Sequence, residues 1–277
     1  MQPSYFRGER DFRIAYQVDQ AEPFHANVLI VHGSAEHRGR YRHVVQALVN
    51  AGFQVYSFDH RGHGESDGIK GDVEHFGYFV EDLKQMVGII KEKDPEQPLF
   101  LVAHSLGGLI SLHFLWNHQS IVSGAVLMSP ALDIGSDVSP ALKANAAWVA
   151  RLFPLLPITS ANRQKESVLS RDPSVQEAFD RDPLCYTGKV RARYGYELLK
   201  AGEFFQTRGR SITLPLLIQY GTADKLVHPG PTRDFFERSG SSDKTLKAWE
   251  GARHELFNEL EKDEVIETVV QWLKGHV

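Results

Sequence analysis

Short apolar runs without polar alternation recur along the chain, separated by segments with a helical period. Strands that helices bury on both faces have this composition, whereas strands with one wet face alternate. We therefore predict strands in the runs ANVLIVH (26–32), FQVYSFD (53–59), PLFLVAHS (98–105), VSGAVLMS (122–129) and LPLLIQYG (214–221). The stretch TLKAWEG (245–251), after the last of these runs, is predicted as the final strand.

The segments between these runs carry apolar residues at intervals of three and four, which is the pattern of amphipathic helices. Helices are predicted over 41–51, before Gly52, over 78–93, before Pro95, and over 259–275 at the end of the chain. Strands that alternate with helices predict a mostly parallel sheet wound by right-handed crossovers, an α/β fold. The opening SYFRGERDFRIAYQV (4–18) predicts an antiparallel hairpin at the sheet edge.

One region departs from this alternation of strands and helices, because we find no strand-like run between residues 133 and 211. The stretches 141–159 and 192–205 are predicted as amphipathic helices instead. We expect a helical cap inserted at 133–210 into a core formed by 1–132 and 211–277. Its first helix carries too many apolar residues for one narrow stripe, so we expect some, such as Trp148 and Leu152, to line a tunnel or touch lipid. An ordinary core helix is the alternative.

Composition narrows the classes of protein. With 277 residues, of which 42% are hydrophobic, the chain can bury one large core. A net charge of -4 leaves no basic field for a phosphate backbone, so nucleic acid is excluded as a partner. A lone cysteine, Cys185, excludes a disulfide framework, and no window approaches a membrane span. We expect a cytoplasmic protein that contacts membranes at most transiently, through the cap; the oligomeric state stays open.

A serine stands where the third of these apolar runs gives way to a helical pattern. Around Ser105 the sequence Ala103-His104-Ser105-Leu106-Gly107 places small residues two positions to either side. Such a tight strand-to-helix turn exposes the hydroxyl above the sheet edge, next to the free N–H groups of a helix start. Ser105 is therefore predicted to be a nucleophile; the alternative is a simple N-cap of a core helix.

A serine nucleophile needs a base and an orienting acid on loops after later strands. His254 and Asp224 stand in such loops and give the order Ser, Asp, His. His228 and His104 are rival bases, although the His104 side chain should point away from the serine, and Asp133 is the reserve acid.

Two backbone N–H groups are predicted to form the oxyanion hole, those of Leu106 and Ser34. The alternative is that His32-Gly33 is only a tight turn.

A histidine-rich stretch, FDHRGHGES (58–66), suggests a second kind of chemistry. Histidines and a carboxylate at strand ends are typical zinc ligands, and the candidates are His32, His37, Asp59, His60 and His63. Arg61 would repel a cation, however, so a structural role is favoured in which Asp59 and Ser66 tie down the loop. We expect neither a metal nor an organic cofactor.

Several motifs together resemble the monoacylglycerol lipase and lysophospholipase family of serine hydrolases, and the similarity spans nearly the whole chain. They are VHGSAEHRGRY, DHRGHGESDG, AHSLGG, DPLCYTGKVRARYGYELLKA, GTADKLV and DKTLKAWEGARHELFNEL. The resemblance implies an α/β-hydrolase fold, the triad and oxyanion hole predicted above, and a mobile cap over an acyl tunnel. It also implies that Glu36 and Arg40 shape the pocket for the alcohol part of the ester. Some members have a histidine where this chain has Phe257.

The expected activity is hydrolysis of single-chain acyl esters through an acyl-enzyme, with monoacylglycerol ranked above lysophospholipid. The apolar cap favours a long acyl chain, and Glu36 does not favour an anionic phosphate, although Arg40 alone could pair with one. Alternatives are a carboxylesterase for small esters, a peptidase, and a catalytically silent hydrolase fold that binds a ligand.

Overall fold

A computed structural model of the chain describes residues 3–133, 140–160, 167–205 and 208–277. The strands are β1 (Ser4–Arg7), β2 (Arg13–Asp19), β3 (Ala26–Val31), β4 (Phe53–Phe58), β5 (Leu99–His104), β6 (Gly124–Met128), β7 (Pro157–Ser160), β8 (Lys189–Arg191), β9 (Leu216–Gly221) and β10 (Lys244–Trp249). The helices are α1 (Arg42–Asn50), α2 (Gly77–Lys93), α3 (Leu106–His118), α4 (Pro140–Leu152), α5 (Pro173–Arg181), α6 (Ala192–Phe205), α7 (Pro229–Arg238) and α8 (Lys262–Lys274).

Eight strands form one sheet in the order β1-β2-β4-β3-β5-β6-β9-β10. The hairpin β1–β2 and its pairing with β4 are antiparallel, and the remaining neighbours are parallel. This confirms the predicted α/β fold with an edge hairpin. Since parallel strands end at the same edge, the loops after β3, β5, β9 and β10 meet there.

Helices cover both faces of the sheet and divide its side chains into two hydrophobic clusters. Leu101 faces the cluster that α2, α3 and α7 complete, and the next residue, Val102, faces the cluster that α1 and α8 complete. Every residue of β3, β4, β5, β6 and β9 is therefore buried. This double cover is the physical reason for apolar runs that do not alternate.

The region expected to form the cap differs from the prediction in the length of its first helix, in the additional helix α5 and in a pair of short strands. Helix α4 ends at Leu152, and β7 pairs with β8 as a small antiparallel sheet, so the expectation of a region without strands was wrong. Pro154 and Pro157 explain the early end of the helix, because proline lacks the N–H that a helix interior needs. Residues 134–139, 161–166, 206 and 207 of the predicted cap lie outside the described part of the chain.

An exposed apolar surface, here called the cap patch, covers the end of α4 and the segment that follows it. Its side chains are at least two-fifths exposed, and they are Trp148, Leu152, Phe153, Leu155, Leu156 and Ile158. Contiguous apolar surface of this kind is uncommon on a protein that meets only water. Among the described residues, no helix combines the length and apolarity needed to cross a bilayer.

Candidate active site

Ser105 stands at a strained corner between the central strand β5 and helix α3. Its backbone has φ 50° and ψ -114°, and α3 begins at the next residue. A non-glycine residue adopts such angles only where its surroundings enforce them. Here the Ser105 N–H donates to Met128 O at 2.9 Å, and the Ser105 carbonyl accepts from Ala131 N at 3.0 Å.

The small residue at position 107 is required by the closeness of the neighbouring strand. A Cβ at Gly107 would lie 2.1 Å from Val31 O and 2.6 Å from His32 O. At the other small position, Ala103 is fully buried in β5. The hydrophobic methyl group fits there, whereas position 107 tolerates no side chain.

Three polar side chains from three different strand ends meet at the sheet edge. His254 Nε2 lies 2.9 Å from Ser105 Oγ, and His254 Nδ1 lies 2.7 Å from Asp224 Oδ2. The second carboxylate oxygen, Asp224 Oδ1, accepts the N–H groups of Leu226 and Val227 at 2.8 and 3.0 Å. All three side chains are buried. The structure thus brings together the three residues that the sequence predicted as nucleophile, base and acid.

The Asp224 carboxylate favours the protonated form of His254, to which it is hydrogen-bonded. Burial alone lowers the pKa of His254, but the charge and hydrogen bond of Asp224 raise it above its ordinary value. Burial likewise favours the protonated carboxyl, yet the His254 charge and hydrogen bonds hold the pKa of Asp224 below its usual range. The pair therefore favours an imidazolium next to an ionised carboxylate.

The loop after β3 carries the predicted oxyanion donor Ser34. Two features define the conformation of this loop. Glu36 Oε1 accepts the Gly33 N–H at 2.6 Å, and Ala35 adopts a left-handed backbone with φ 64°. The loop also contacts the region predicted as a cap, because Ser34 Oγ lies 2.6 Å from the Tyr194 hydroxyl. The other predicted donor, Leu106 N–H, is at the first residue of α3, where the helix dipole favours negative charge.

A buried ion-pair network lies beside this loop and centres on Arg40. Arg40 Nη1 donates to Glu36 Oε2 at 2.8 Å and to Glu255 Oε1 at 2.7 Å, and Nη2 donates to Glu255 Oε2 at 2.7 Å. Asn258 Nδ2 also donates to Glu255, at 2.8 Å. Sequence reasoning missed Glu255; its position next to His254 was the only available signal, since its partner Arg40 is 215 residues away.

His104 links this network to the predicted base. Its Nδ1 lies 3.0 Å from Glu36 Oε1 and 2.9 Å from the Tyr41 hydroxyl, while Nε2 lies 3.3 Å from the His254 carbonyl oxygen. As expected, the imidazole is directed to partners other than the serine hydroxyl. It instead lies between the Glu36 carboxylate and the His254 backbone.

The candidate zinc ligands His32, His60 and His63 pack against one another, with ring centroids 4.1 to 6.0 Å apart. His60 donates its backbone N–H to His32 Nε2, and the His60 ring bonds the His32 carbonyl. Burial lowers the pKa of His60 to about 3 and that of His63 to about 4, so both are neutral. Asp59 Oδ1 accepts Arg38 N–H, and Ser66 Oγ donates to Asp59 O at 2.6 Å. These contacts tie the loop down as predicted.

Of the described residues, His37, Asp182 and Cys185 form one group of metal-ligand types, with ligand atoms within 4.8 Å of one another. His37 Nε2 lies 2.9 Å from Asp182 Oδ2, and burial raises the pKa of the Cys185 thiol to about 12. We interpret this group as a contact between the loop after β3 and the segment before β8.

A strained serine corner after the central strand of a doubly covered sheet, followed along the chain by an acid and a histidine, is characteristic of the α/β-hydrolase class of serine hydrolases. A family profile described as "Serine aminopeptidase, S33" matches residues 22–261. The chain belongs to this family of hydrolases.

Relatives within the class are similar over nearly their whole length. A monoacylglycerol lipase of Mycolicibacterium smegmatis is 35% identical over 98% of this chain and 96% of that protein. A monoglyceride lipase of Rattus norvegicus is 36% identical over 91% of this chain and 83% of that protein. The crystal structure of a monoacylglycerol lipase from Paleococcus ferrophilus superposes with a TM-score of 0.84 at 31% identity, covering 95% of this chain and 99% of that one.

Proposed function

We propose that this protein hydrolyses single-chain acyl esters, and that monoacylglycerol, cleaved to glycerol and fatty acid, is its preferred substrate. The observation that carries the proposal is the unbroken contact from Ser105 Oγ through His254 to Asp224 at the strained corner after β5. The names of the relatives support the choice of substrate.

The reaction proceeds in two steps. Ser105 Oγ attacks the ester carbonyl while His254 Nε2 takes its proton, and the N–H groups of Ser34 and Leu106 bind the oxyanion. His254 then donates the proton to the departing alcohol, which leaves an acyl-enzyme. A water molecule, deprotonated by His254, attacks the acyl carbon. The bond from that carbon to Ser105 Oγ then breaks, His254 returns the proton to Oγ, and the fatty acid is released. Asp224 holds the imidazole and stabilises its charge. Apart from the attacking water, the chemistry uses only side chains and backbone groups of this chain.

The two parts of the substrate bind on different elements. Glu36 and Arg40 shape the pocket for the alcohol, because they lie beside the loop that carries Ser34. Trp148 and Leu152 bind the acyl chain, for which each buried CH₂ contributes about 0.8 kcal/mol. Residues 133–210 form the cap that carries these two side chains, with core segments on either side.

The cap patch also supports transient contact with a lipid surface. Trp148 and Leu152 are 64% and 63% exposed, and apolar side chains so exposed gain free energy by entering a membrane interface. Such contact would place the proposed acyl-binding surface against the lipid that supplies the substrate.

A comparison of substrates tests the proposal. We expect kcat/KM with a single preparation to be highest on monooleoylglycerol, lower on lysophosphatidylcholine and trioleoylglycerol, and lower still on p-nitrophenyl acetate. Ser105→Ala should abolish hydrolysis of all four with an unchanged circular dichroism spectrum, and a fluorophosphonate should label only the wild type. A preference for the acetate ester would contradict the lipid substrate. Wild-type turnover by Ser105→Ala would contradict the mechanism.

A further inference from the structure

Ser34, whose N–H is a proposed oxyanion donor, is held in place by few contacts of its own. Within the described part of the chain, neither its N–H nor its carbonyl oxygen is paired, and its one hydrogen bond joins Ser34 Oγ to the Tyr194 hydroxyl at 2.6 Å. An unpaired N–H suits an oxyanion donor, since an acceptor within the protein would compete with the substrate. It also means that Ser34 itself is anchored through its side chain.

Other groups bind the residues on either side of Ser34. His32 Nδ1 donates to Gly33 O at 2.7 Å, and Ala35 O accepts the Tyr186 N–H at 2.8 Å. The left-handed backbone of Ala35 is strained for a residue other than glycine, and such a conformation persists only while its surroundings enforce it. A loop under this strain shifts when one of its contacts is removed. The position of the Ser34 N–H therefore depends on the contact that Ser34 makes itself.

Tyr194 is a rigid anchor for this hydrogen bond. It lies in α6, is only 4% exposed and packs in the hydrophobic cluster that the strands of the sheet form with α2, α3 and α7. Burial raises the pKa of the Tyr194 phenol, so the hydroxyl keeps its proton at neutral and mildly alkaline pH. Tyr194 can therefore hold Ser34 Oγ at a fixed place relative to the sheet, and with it the loop after β3.

We propose that Tyr194 is a positioning residue for the reaction: its hydroxyl holds Ser34 in the place from which the Ser34 N–H binds the oxyanion. This inference rests on the proposed function, because it takes the Ser34 N–H as an oxyanion donor. Tyr194 acts through Ser34, and its effect is greatest in the transition state, where the negative charge on the carbonyl oxygen is largest. Binding of the uncharged ester depends on it little.

A transition-state analogue, combined with steady-state kinetics, tests this inference. The substrate is p-nitrophenyl butyrate, and the inhibitor is pentyl trifluoromethyl ketone. Ser105 Oγ adds to the ketone carbon while its proton passes to His254. The π electrons of the C=O bond move to the oxygen, and the N–H groups of Ser34 and Leu106 bind the resulting oxyanion. The inhibition constant does not depend on how much of the preparation is active, so a partial loss of folded protein leaves it unchanged.

We expect Tyr194→Phe to lower kcat about tenfold, to leave KM nearly unchanged and to raise the inhibition constant about tenfold. This is less than the roughly 10²- to 10³-fold cost of losing an oxyanion donor, because the N–H is displaced and not removed. Ser34→Ala keeps the backbone N–H and should cause the same losses. Because both variants break one hydrogen bond, the double variant should lose no more than either single variant.

Tyr186→Phe is the matched control. The Tyr186 hydroxyl lies in the same segment of the chain, but it donates to Lys189 O at 3.0 Å and makes no contact with the loop after β3 among the described hydrogen bonds. The backbone N–H that Tyr186 donates to Ala35 is kept in this variant. It should leave kcat, KM and the inhibition constant at their wild-type values.

Two results would overturn the inference: an unchanged inhibition constant in Tyr194→Phe, or losses that multiply in the double variant. If Ser34 served only to satisfy the buried Tyr194 hydroxyl, Tyr194→Phe would change the free energy of unfolding and leave the inhibition constant where it was. Neither the butyrate ester nor the ketone contains glycerol or a long acyl chain. Failure to cleave monoacylglycerol would therefore contradict the proposed substrate without affecting this test.

Discussion

At the scale of single residues, the proposed catalytic base lies in a strongly acidic environment. Burial opposes an imidazolium at His254, and Asp224, Glu255 and Glu36 together favour it. The net effect is a raised pKa. Such a base is neutral, and so able to accept a proton, only above that pKa. It is nevertheless a stronger proton acceptor than an ordinary imidazole. The same carboxylates thus stabilise the charged form that appears when Ser105 is deprotonated.

This raised pKa predicts the direction of the pH dependence. Because the base must be neutral, kcat/KM should increase with pH through an acid limb whose midpoint lies above the ordinary value of 6.5. The contribution of this histidine to the free energy of unfolding has the opposite trend. It is fully present below the pKa of the unfolded chain and is lost as pH rises through the folded pKa.

Asp224→Asn tests whether the Asp224 carboxylate causes the raised pKa of His254. Loss of the carboxylate should move the acid limb to lower pH and reduce kcat by about 10⁴-fold, as expected for a triad without its acid. The exposed pair of Asp243 and His276 has a similar contact, 3.0 Å, so Asp243→Asn is the control and should leave the pH profile unchanged. An acid limb at the same pH in Asp224→Asn would contradict the assignment of Asp224.

At the scale of elements, the core strands and the serine corner were predictable from sequence, whereas the long-range polar contacts were not. The runs around β3 to β6 and β9 are apolar because helices cover both faces, so local composition carries the signal. The pairing of β7 with β8 is short and begins at Pro157, and four residues with one proline carry little strand signal. Glu255 and Arg40 are 215 residues apart, so local composition carries no signal for their contact.

Helix α4 and the chain that follows it give a prediction at this scale. Trp148→Ser combined with Leu152→Gln should lower hydrolysis of long-chain esters roughly tenfold, because a few CH₂ groups lose their apolar contact, and acetate esters should be nearly unaffected. Since both side chains are largely exposed, the free energy of unfolding should change by no more than about 0.5 kcal/mol for each.

The control for the double variant Trp148→Ser, Leu152→Gln is Leu260→Gln, because Leu260 is 64% exposed but lies in the loop before α8 and outside the cap patch. It should affect neither class of ester. Binding to phospholipid vesicles, measured by sedimentation, should weaken in the α4 variant alone. Equal losses on long and short esters would mean that the substitutions act through stability, and the acyl-binding role of the patch would be wrong.

At the scale of the whole molecule, helix α6 joins the predicted cap to the core. Tyr194, Ala201 and Phe205 belong to the same hydrophobic cluster as the strands, and the Phe205 ring contacts the Phe235 ring of α7 with centroids 6.4 Å apart. The Ala201 carbonyl also lies 3.0 Å from His113 Nε2 in α3. These contacts bury α6 as thoroughly as a core helix, while the end of α4 is exposed.

Because α6 shares its hydrophobic cluster with the sheet, we expect cap and core to unfold in one cooperative transition. Phe205→Ala should lower the free energy of unfolding by about 3 to 5 kcal/mol, since the side chain is fully buried and leaves a cavity. Phe153→Ala is the matched control: the same residue type, in the same region but 61% exposed, should cost no more than about 0.5 kcal/mol.

Urea denaturation followed by tryptophan fluorescence and by far-ultraviolet circular dichroism should give coincident curves for the wild type and both variants. Separate transitions, or equal losses in the two variants, would mean that the region from α4 to α6 folds independently of the sheet.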